Sequence, residues 1–153
     1  ALHHDPRRAI AQLEAEIAAA ARPVLVGSSL GGYYATFLAE RHGLRALLIN
    51  PAVRVQRHFA AYLGPQQNFY SGERWELTRA HVATLASLEV PPPQDPTRFL
   101  VWLQSGDETL DYRDAADYYR RCTVEIEAGG DHGYQGFAAR IPELLAFAGL
   151  SRS

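Results

Sequence analysis

Val24-Leu25-Val26-Gly27-Ser28-Ser29-Leu30-Gly31-Gly32 joins a short apolar run to a segment, Gly32 to Arg41, with the composition of a helix. Within it, Gly27-Ser28-Ser29-Leu30-Gly31 fits the pattern G-x-S-x-G. Between a strand and a helix, this pattern describes a turn so tight that the central serine is held at strained backbone angles with its hydroxyl projecting from the sheet edge. The reading assigns both Gly27 and Gly31 the task of removing side chains that would keep strand and helix apart. Ser29 is then the candidate nucleophile, and the backbone N–H of Leu30, at the helix start, is aimed where an oxyanion would form. Ser28 is off the centre of the turn, and a plain Gly/Ser turn is the simpler alternative.

The rest of the chain supplies what such a serine needs. Leu44–Ile49 reads as a second strand, apolar on both faces as in a buried parallel sheet, and stops at Asn50-Pro51. Strand, helix, strand in that order implies a right-handed βαβ unit. Phe99–Gln104 is a third strand, followed by Ser105-Gly106-Asp107-Glu108-Thr109-Leu110-Asp111 and a helix over Tyr112–Arg121. Thr123–Ile126 is a fourth, followed by Ala128-Gly129-Gly130-Asp131-His132-Gly133. A last helical segment begins at Phe137 and restarts at Pro142. Ser29, Asp107 and His132 thus each follow a strand, and the C-terminal ends of parallel strands converge on one crevice.

The order Ser, Asp, His is that of the α/β-hydrolase triad. The chemistry needs each type: a serine hydroxyl is a weak nucleophile, an imidazole takes and returns its proton, and a carboxylate fixes the imidazole tautomer. Asp111 competes with Asp107 for the acidic role and for capping the next helix. His3, His4, His42, His58 and His81 compete with His132, but none follows a strand in a glycine-rich turn. Tyr33 and Tyr34, early in the helix after the serine, are candidates to line a substrate pocket. Arg54 and Arg57 could meet an anionic substrate, although exposed arginines are more often solvated surface.

Ahead of this sheet, Asp5-Pro6 opens a helix carrying Ile10, Leu13 and Ile17 on one stripe to about Ala20. From Pro51 to Pro93 no strand is evident. Val53, Phe59, Tyr62 and Leu63 suggest helical turns, Gly64 to Asn68 a loop, and Leu77-Thr78 the start of a helix with Val82, Leu85 and Leu88 inward. Phe69, Tyr70 and Trp75 concentrate aromatic surface there. This stretch reads equally as a lid-like helical insertion or as an ordinary crossover helix pair.

Composition narrows the classes. The chain has 153 residues, 47% of them hydrophobic, and a net charge of −2, consistent with one domain spanning 1–153. The fifteen basic residues are scattered and all are arginine. Nothing there suggests nucleic acid, and without lysine neither Schiff-base chemistry nor a Walker A lysine is available. No apolar run is long enough to span a membrane. Cys122 is the only cysteine, which rules out an intramolecular disulfide, and it reads as a small core residue. Neither Asp131-His132 nor His3-His4 has a third ligand at telling spacing, so no metal and no cofactor is expected. The chain starts Ala-Leu-His-His-Asp-Pro and contains no methionine, so a preceding N-terminal portion is expected to be missing.

The stretches Gly27-Ser28-Ser29-Leu30-Gly31-Gly32-Tyr33-Tyr34-Ala35-Thr36, Asn50-Pro51-Ala52-Val53-Arg54, Gly106-Asp107-Glu108-Thr109-Leu110-Asp111-Tyr112 and Gly129-Gly130-Asp131-His132 together resemble the YqiA-like esterases, small bacterial enzymes of the α/β-hydrolase superfamily. The likeness runs from about Ala9 to Leu150. It implies an α/β-hydrolase fold and a cytoplasmic serine esterase with Ser29, Asp107 and His132 as its triad, acting on short-chain esters and acyl-CoA thioesters. It also implies an additional first strand ending in a His-Gly-Phe-type loop that gives a second oxyanion N–H, and this sequence has no such stretch. An acyltransferase on the same triad, a hydrolase-fold protein that only binds a small ligand, and a phosphate-binding α/β protein using Gly31-Gly32 are the alternatives.

Overall fold

Asp5 starts the first helix, α1 (Pro6–Ala19), by accepting the Arg7 N–H at 2.8 Å, with Pro6 in the first turn where a missing N–H costs nothing. This is a computed structural model; it describes residues 1–67 and 72–150. The remaining α-helices and strands, in chain order, are β1 (Leu25–Ser28), α2 (Leu30–His42), β2 (Ala46–Ile49), α3 (Gln56–Phe59), β3 (Gly64–Gln67), β4 (Arg74–Leu77), α4 (Arg79–Ser87), β5 (Phe99–Gln104), α5 (Tyr112–Tyr118), β6 (Thr123–Glu127) and α6 (Ile141–Phe147), with short 3-10 turns at Ala60–Tyr62 and Phe137–Arg140. The chain divides into two compact units, one formed by Ala1–Ala21 with Arg54–Glu89, the other by Arg22–Val53 with the segment from Val90 onward.

The second unit holds a four-stranded sheet in the order β1-β2-β5-β6, with every neighbouring pair parallel. β2 and β5 are buried at every residue, as expected for central parallel strands covered on both faces. One face shows Leu47, Ile49, Leu100 and Trp102, against which Tyr134, Phe137, Leu144 and Phe147 pack, so α6 covers that side. Phe99 alternates to the other face, where the Tyr119 ring lies 6.4 Å from it. The Tyr119 hydroxyl is 2.7 Å from Thr36 Oγ1 of α2, which ties α5 and α2 to that same side. Burial pushes the Tyr119 hydroxyl far above its ordinary pKa, so it stays protonated. α2 ends where expected, on Gly43 in the left-handed conformation (φ 65°), whose N–H bonds the Ala39 carbonyl.

The first unit corrects one expectation. Where a loop and no strand were expected, β3 and β4 form an antiparallel hairpin with Gly64 opposite Leu77 and Gln67 opposite Arg74. Gly64-Pro65-Gln66-Gln67 has no β-branched residue and no apolar alternation, so it gives no strand signal; only pairing with Arg74–Leu77 makes it one. Phe69 and Tyr70 lie outside the described residues. Trp75 stacks on His4 with centroids 5.3 Å apart. Thr78 and His81 form a reciprocal cap at the start of α4, whose Leu85 is buried. Among the described residues, no helix is long and apolar enough to cross a membrane.

Candidate active site

The turn after β1 is as tight as its glycines imply. Ser29 sits at φ 53°, ψ −123°, a conformation rare for a residue with a side chain. Backbone hydrogen bonds on both sides of the residue hold it there, among them a long one of 3.4 Å from the Tyr33 N–H to its carbonyl. Its N–H donates to the Ile49 carbonyl at 3.1 Å, and its carbonyl accepts from Gly32 N–H at 3.0 Å and from Ala52 N–H at 2.9 Å. A Cβ on Gly27 would lie 2.3 Å from the Gly31 carbonyl oxygen, so only glycine fits. The role given to Gly31 is corrected. A Cβ there would meet nothing within 4 Å, whereas one on Gly32 would come within 2.6 Å of Pro51 Cβ. The close approach of helix and sheet falls at Gly32, one residue later than the motif suggests.

Ser29, Asp107 and His132 come together although they lie far apart in the chain. His132 Nε2 is 3.0 Å from Ser29 Oγ. His132 Nδ1 is 2.9 Å and 3.0 Å from the two oxygens of Asp107. An ionised carboxylate only accepts, so Nδ1 carries the proton and Nε2 keeps a lone pair to accept the Ser29 hydroxyl. The Asp107 side chain is 2% exposed and that of His132 23%, so the carboxylate lies inside the protein while the imidazole is partly open to solvent. Asp107 is fixed from behind, because Oδ1 also accepts the N–H groups of Thr109 and Leu110, both at 2.9 Å.

The rivals are elsewhere. Asp111 caps α5 by accepting the Arg113 N–H at 3.0 Å and pairs with the Arg113 guanidinium at 2.7 Å; that pairing holds its carboxyl down to about 2. His42 ends α2, His58 lies in α3, and His81 is in the α4 cap. His3 accepts the Asp5 N–H, and His4 stacks on Trp75. Ser28 closes β1 with its neighbour's hydroxyl, not its own, on the imidazole. Arg57 lies in α3, and Arg54, just before it, has a positive φ of 49°. Tyr33 and Tyr34 are only 6% and 4% exposed, so most of each ring is packed inside the protein. Leu30 is the first residue of α2, where a backbone N–H has no carbonyl a turn earlier in the helix to bond. Among the described residues, no three His, Cys, Asp or Glu side chains are grouped to hold a metal ion.

Sequence reasoning missed three residues that bond the loop carrying His132. The Asn50 side chain is 2% exposed and donates from Nδ2 to the Asp131 and His132 carbonyls at 3.0 and 3.1 Å. Gln104, 3% exposed, accepts at Oε1 from Asp131 and Gln135 N–H at 3.2 and 2.8 Å. Glu108 Oε2 accepts the His132 N–H at 3.0 Å. A polar residue at the end of a buried strand was the available signal for Asn50 and Gln104; Glu108 gave none. Beyond the imidazole, Tyr134 anchors the loop, with its ring stacked on Trp102 at 6.1 Å and its hydroxyl accepting from Arg140 at 2.6 Å.

Comparison with known proteins agrees with this architecture. A UPF0227 protein of Shewanella woodyi is 26% identical over 129 residues, covering 82% of this chain and 64% of its own length, so the chain spans a little under two thirds of that relative. Est1E of Butyrivibrio proteoclasticus, solved with ferulic acid bound, superposes with a TM-score of 0.70 at 16% identity, covering 93% of this chain and 66% of that one. Mouse alpha/beta hydrolase domain-containing protein 10 superposes with a TM-score of 0.60 at 16% identity, covering 92% and 69%. The fold is therefore that of the α/β-hydrolases, as the parallel sheet between helices required. The sequence pattern of the uncharacterised protein family UPF0227 matches residues 1–149, and this chain belongs to that family.

Proposed function

We propose that this chain is a serine hydrolase that cleaves carboxylic esters or acyl thioesters through an acyl-Ser29 intermediate. The observation that carries the proposal is the continuous line Asp107–His132–Ser29, with contacts of 2.9 and 3.0 Å at its two joints. In this reading Ser29 Oγ attacks the acyl carbon while its proton passes to His132 Nε2. The charge that develops on the acyl oxygen faces the Leu30 N–H, the donor assigned here. Collapse expels the alcohol or thiol, which takes the proton from Nε2 and leaves the acyl group on Ser29. Water, deprotonated by the same nitrogen, then releases the acid and restores the serine. Asp107 stabilises the imidazolium formed in each half.

Two further observations support an ester-cleaving role. Est1E, similar in fold, holds ferulic acid, a carboxylic acid of the kind that ester cleavage releases. The buried Tyr33 and Tyr34 rings lie on α2 a short way from Leu30 and are candidates to back the acyl site. Acyl-CoA thioesters are included because the Ser29–His132 chemistry is the same for either leaving group, and a thiolate leaves more readily than an alkoxide. The test is turnover of a chain-length series of aryl esters and acyl-CoAs by the wild type and Ser29→Ala. The expected loss on substitution is at least about ten-thousand-fold in kcat. Equal turnover by the two proteins would contradict the proposal.

A further inference from the structure

The nucleophile and the base hang from the same four residues. Ile49–Ala52, the exit of β2, holds the Ser29 backbone at both ends, through the Ile49 carbonyl (3.1 Å to Ser29 N) and the Ala52 N–H (2.9 Å to Ser29 O). The middle of that segment faces the other way. Asn50 Nδ2 donates to the carbonyls of Asp131 and His132 itself, at 3.0 and 3.1 Å, while Oδ1 accepts the Gln104 N–H at 3.0 Å. Pro51 completes the contact with the elbow, packed so close to Gly32 that a Cβ there would overlap it.

We propose that Ile49–Ala52 is the spacer that sets the distance from Ser29 to His132, and that Asn50 is its positioning residue. The proposal rests on the catalytic reading of Ser29 and His132 given above. Asn50 suits the task in two ways. Its φ is 40°, a region where asparagine is among the few tolerated side chains, so the strand turns there without glycine. Its amide offers both a donor and an acceptor, and both are used in a setting where 2% of the residue is exposed. The loop therefore has its backbone fixed from three directions: by Asn50 at the Asp131 and His132 carbonyls, by Gln104 at the Asp131 and Gln135 amides, and by Glu108 at the His132 amide. Gln104 also donates to the Gln135 carbonyl at 2.7 Å. The imidazole is oriented by Asp107, but its reach toward Ser29 is a property of the backbone, and that backbone is anchored to the segment that holds Ser29.

Asn50→Asp separates this role from general support of the turn. It preserves shape and tolerance of a positive φ, but it replaces the donor facing two carbonyls with an acceptor. Asn50→Gly keeps the backbone conformation without burying a charge, and carries the test should the aspartate variant not fold. Glu108→Gln retains an acceptor oxygen for the His132 N–H and serves as the conservative control.

Two readouts are needed: kcat and KM on the preferred ester, and the imidazole Nδ1–H resonance of His132 in nitrogen-correlated proton spectra, assigned against His132→Gln. We expect Asn50→Asp to lower kcat about a hundredfold, since a misplacement near 1 Å has that effect, with KM changed by less than about twofold. Asn50→Gly should lower kcat about tenfold and Glu108→Gln by less than about threefold. In the folded Asn50 variants the His132 Nδ1–H signal should shift or broaden. A folded Asn50→Asp or Asn50→Gly protein with wild-type kcat and an unchanged signal would overturn the spacer. Should the wild type turn over no ester, the hydrolase reading fails on its own, and the ring signal still decides the spacer: moved in the Asn50 variants it stands, unmoved it falls.

Discussion

Ser29 and Asn50 occupy equivalent places at the ends of adjacent parallel strands. Ser28 pairs with Ile49 in the β1–β2 register, so the two residues are the next rung on each strand. Each passes its N–H to the following strand, Ser29 to the Ile49 carbonyl and Asn50 to that of Trp102 at 2.9 Å. Each has a positive φ without being glycine, 53° and 40°. The outcomes differ. Ser29 presents a half-buried hydroxyl to His132, whereas Asn50 turns its amide inward and uses it on the loop that carries His132. The same backbone irregularity presents the proposed nucleophile on one strand and a mount for the loop of its partner on the next. An outlying φ at the C-terminal edge of a parallel sheet therefore points to the site whether or not its own side chain does chemistry.

Of the two strand ends, that at Asn50 is the more sensitive to substitution. Asn50→Ala removes three hydrogen bonds from a buried position and forces an alanine to a positive φ. About 4 kcal/mol of stability should be lost in urea unfolding, and about 1 kcal/mol less in Asn50→Gly, which escapes the strain. Equal losses would mean that backbone conformation contributes nothing at this strand end. On the Ser29 side the sensitive position is Gly27, where the new Cβ would press on backbone atoms that cannot swing away. Gly27→Ala should destabilise by about 3 kcal/mol and lower the melting temperature by roughly 6–12 °C. Gly31→Ala, with open space at its Cβ, should fall within about 0.5 kcal/mol of the wild type.

The smallest effect sharpens the contrast between the two edges of the sheet. Cys122 stands just before β6, at the opposite edge from the site, and burial, helped by Glu40 and Asp95, pushes its thiol up to about 11. A raised thiol pKa leaves little thiolate until the pH approaches that value, so alkylation by iodoacetamide at about pH 8 should run about a hundredfold slower in the native protein than in urea. Similar rates would show that this edge is reactive after all.

Much of this was legible in the sequence because it follows from where strands stop. Val24–Val26, Leu44–Ile49, Phe99–Gln104 and Thr123–Ile126 each announce a strand, the second one apolar on both faces, and the polar residues after the first, third and fourth are brought together by the parallel topology. What was not legible depends on partners distant in sequence. Gly64–Gln67 becomes a strand only by pairing with Arg74–Leu77. The exchange of roles between Gly31 and Gly32 is set by Pro51, which the serine motif does not include. Asn50-Pro51 looks like a strand terminator because asparagine and proline so often are, and nothing local shows that the amide reaches a loop some eighty residues away.

The central claim is that His132 activates Ser29, and the most direct measurement is the rate and site of reaction with a fluorophosphonate, which needs the activated hydroxyl but no particular substrate. A single adduct is expected, mapped by peptide mass to Ser29 and absent from Ser29→Ala, with labelling slowed at least about a thousandfold in folded His132→Gln. Labelling of another residue, or an unchanged rate in His132→Gln, would contradict it.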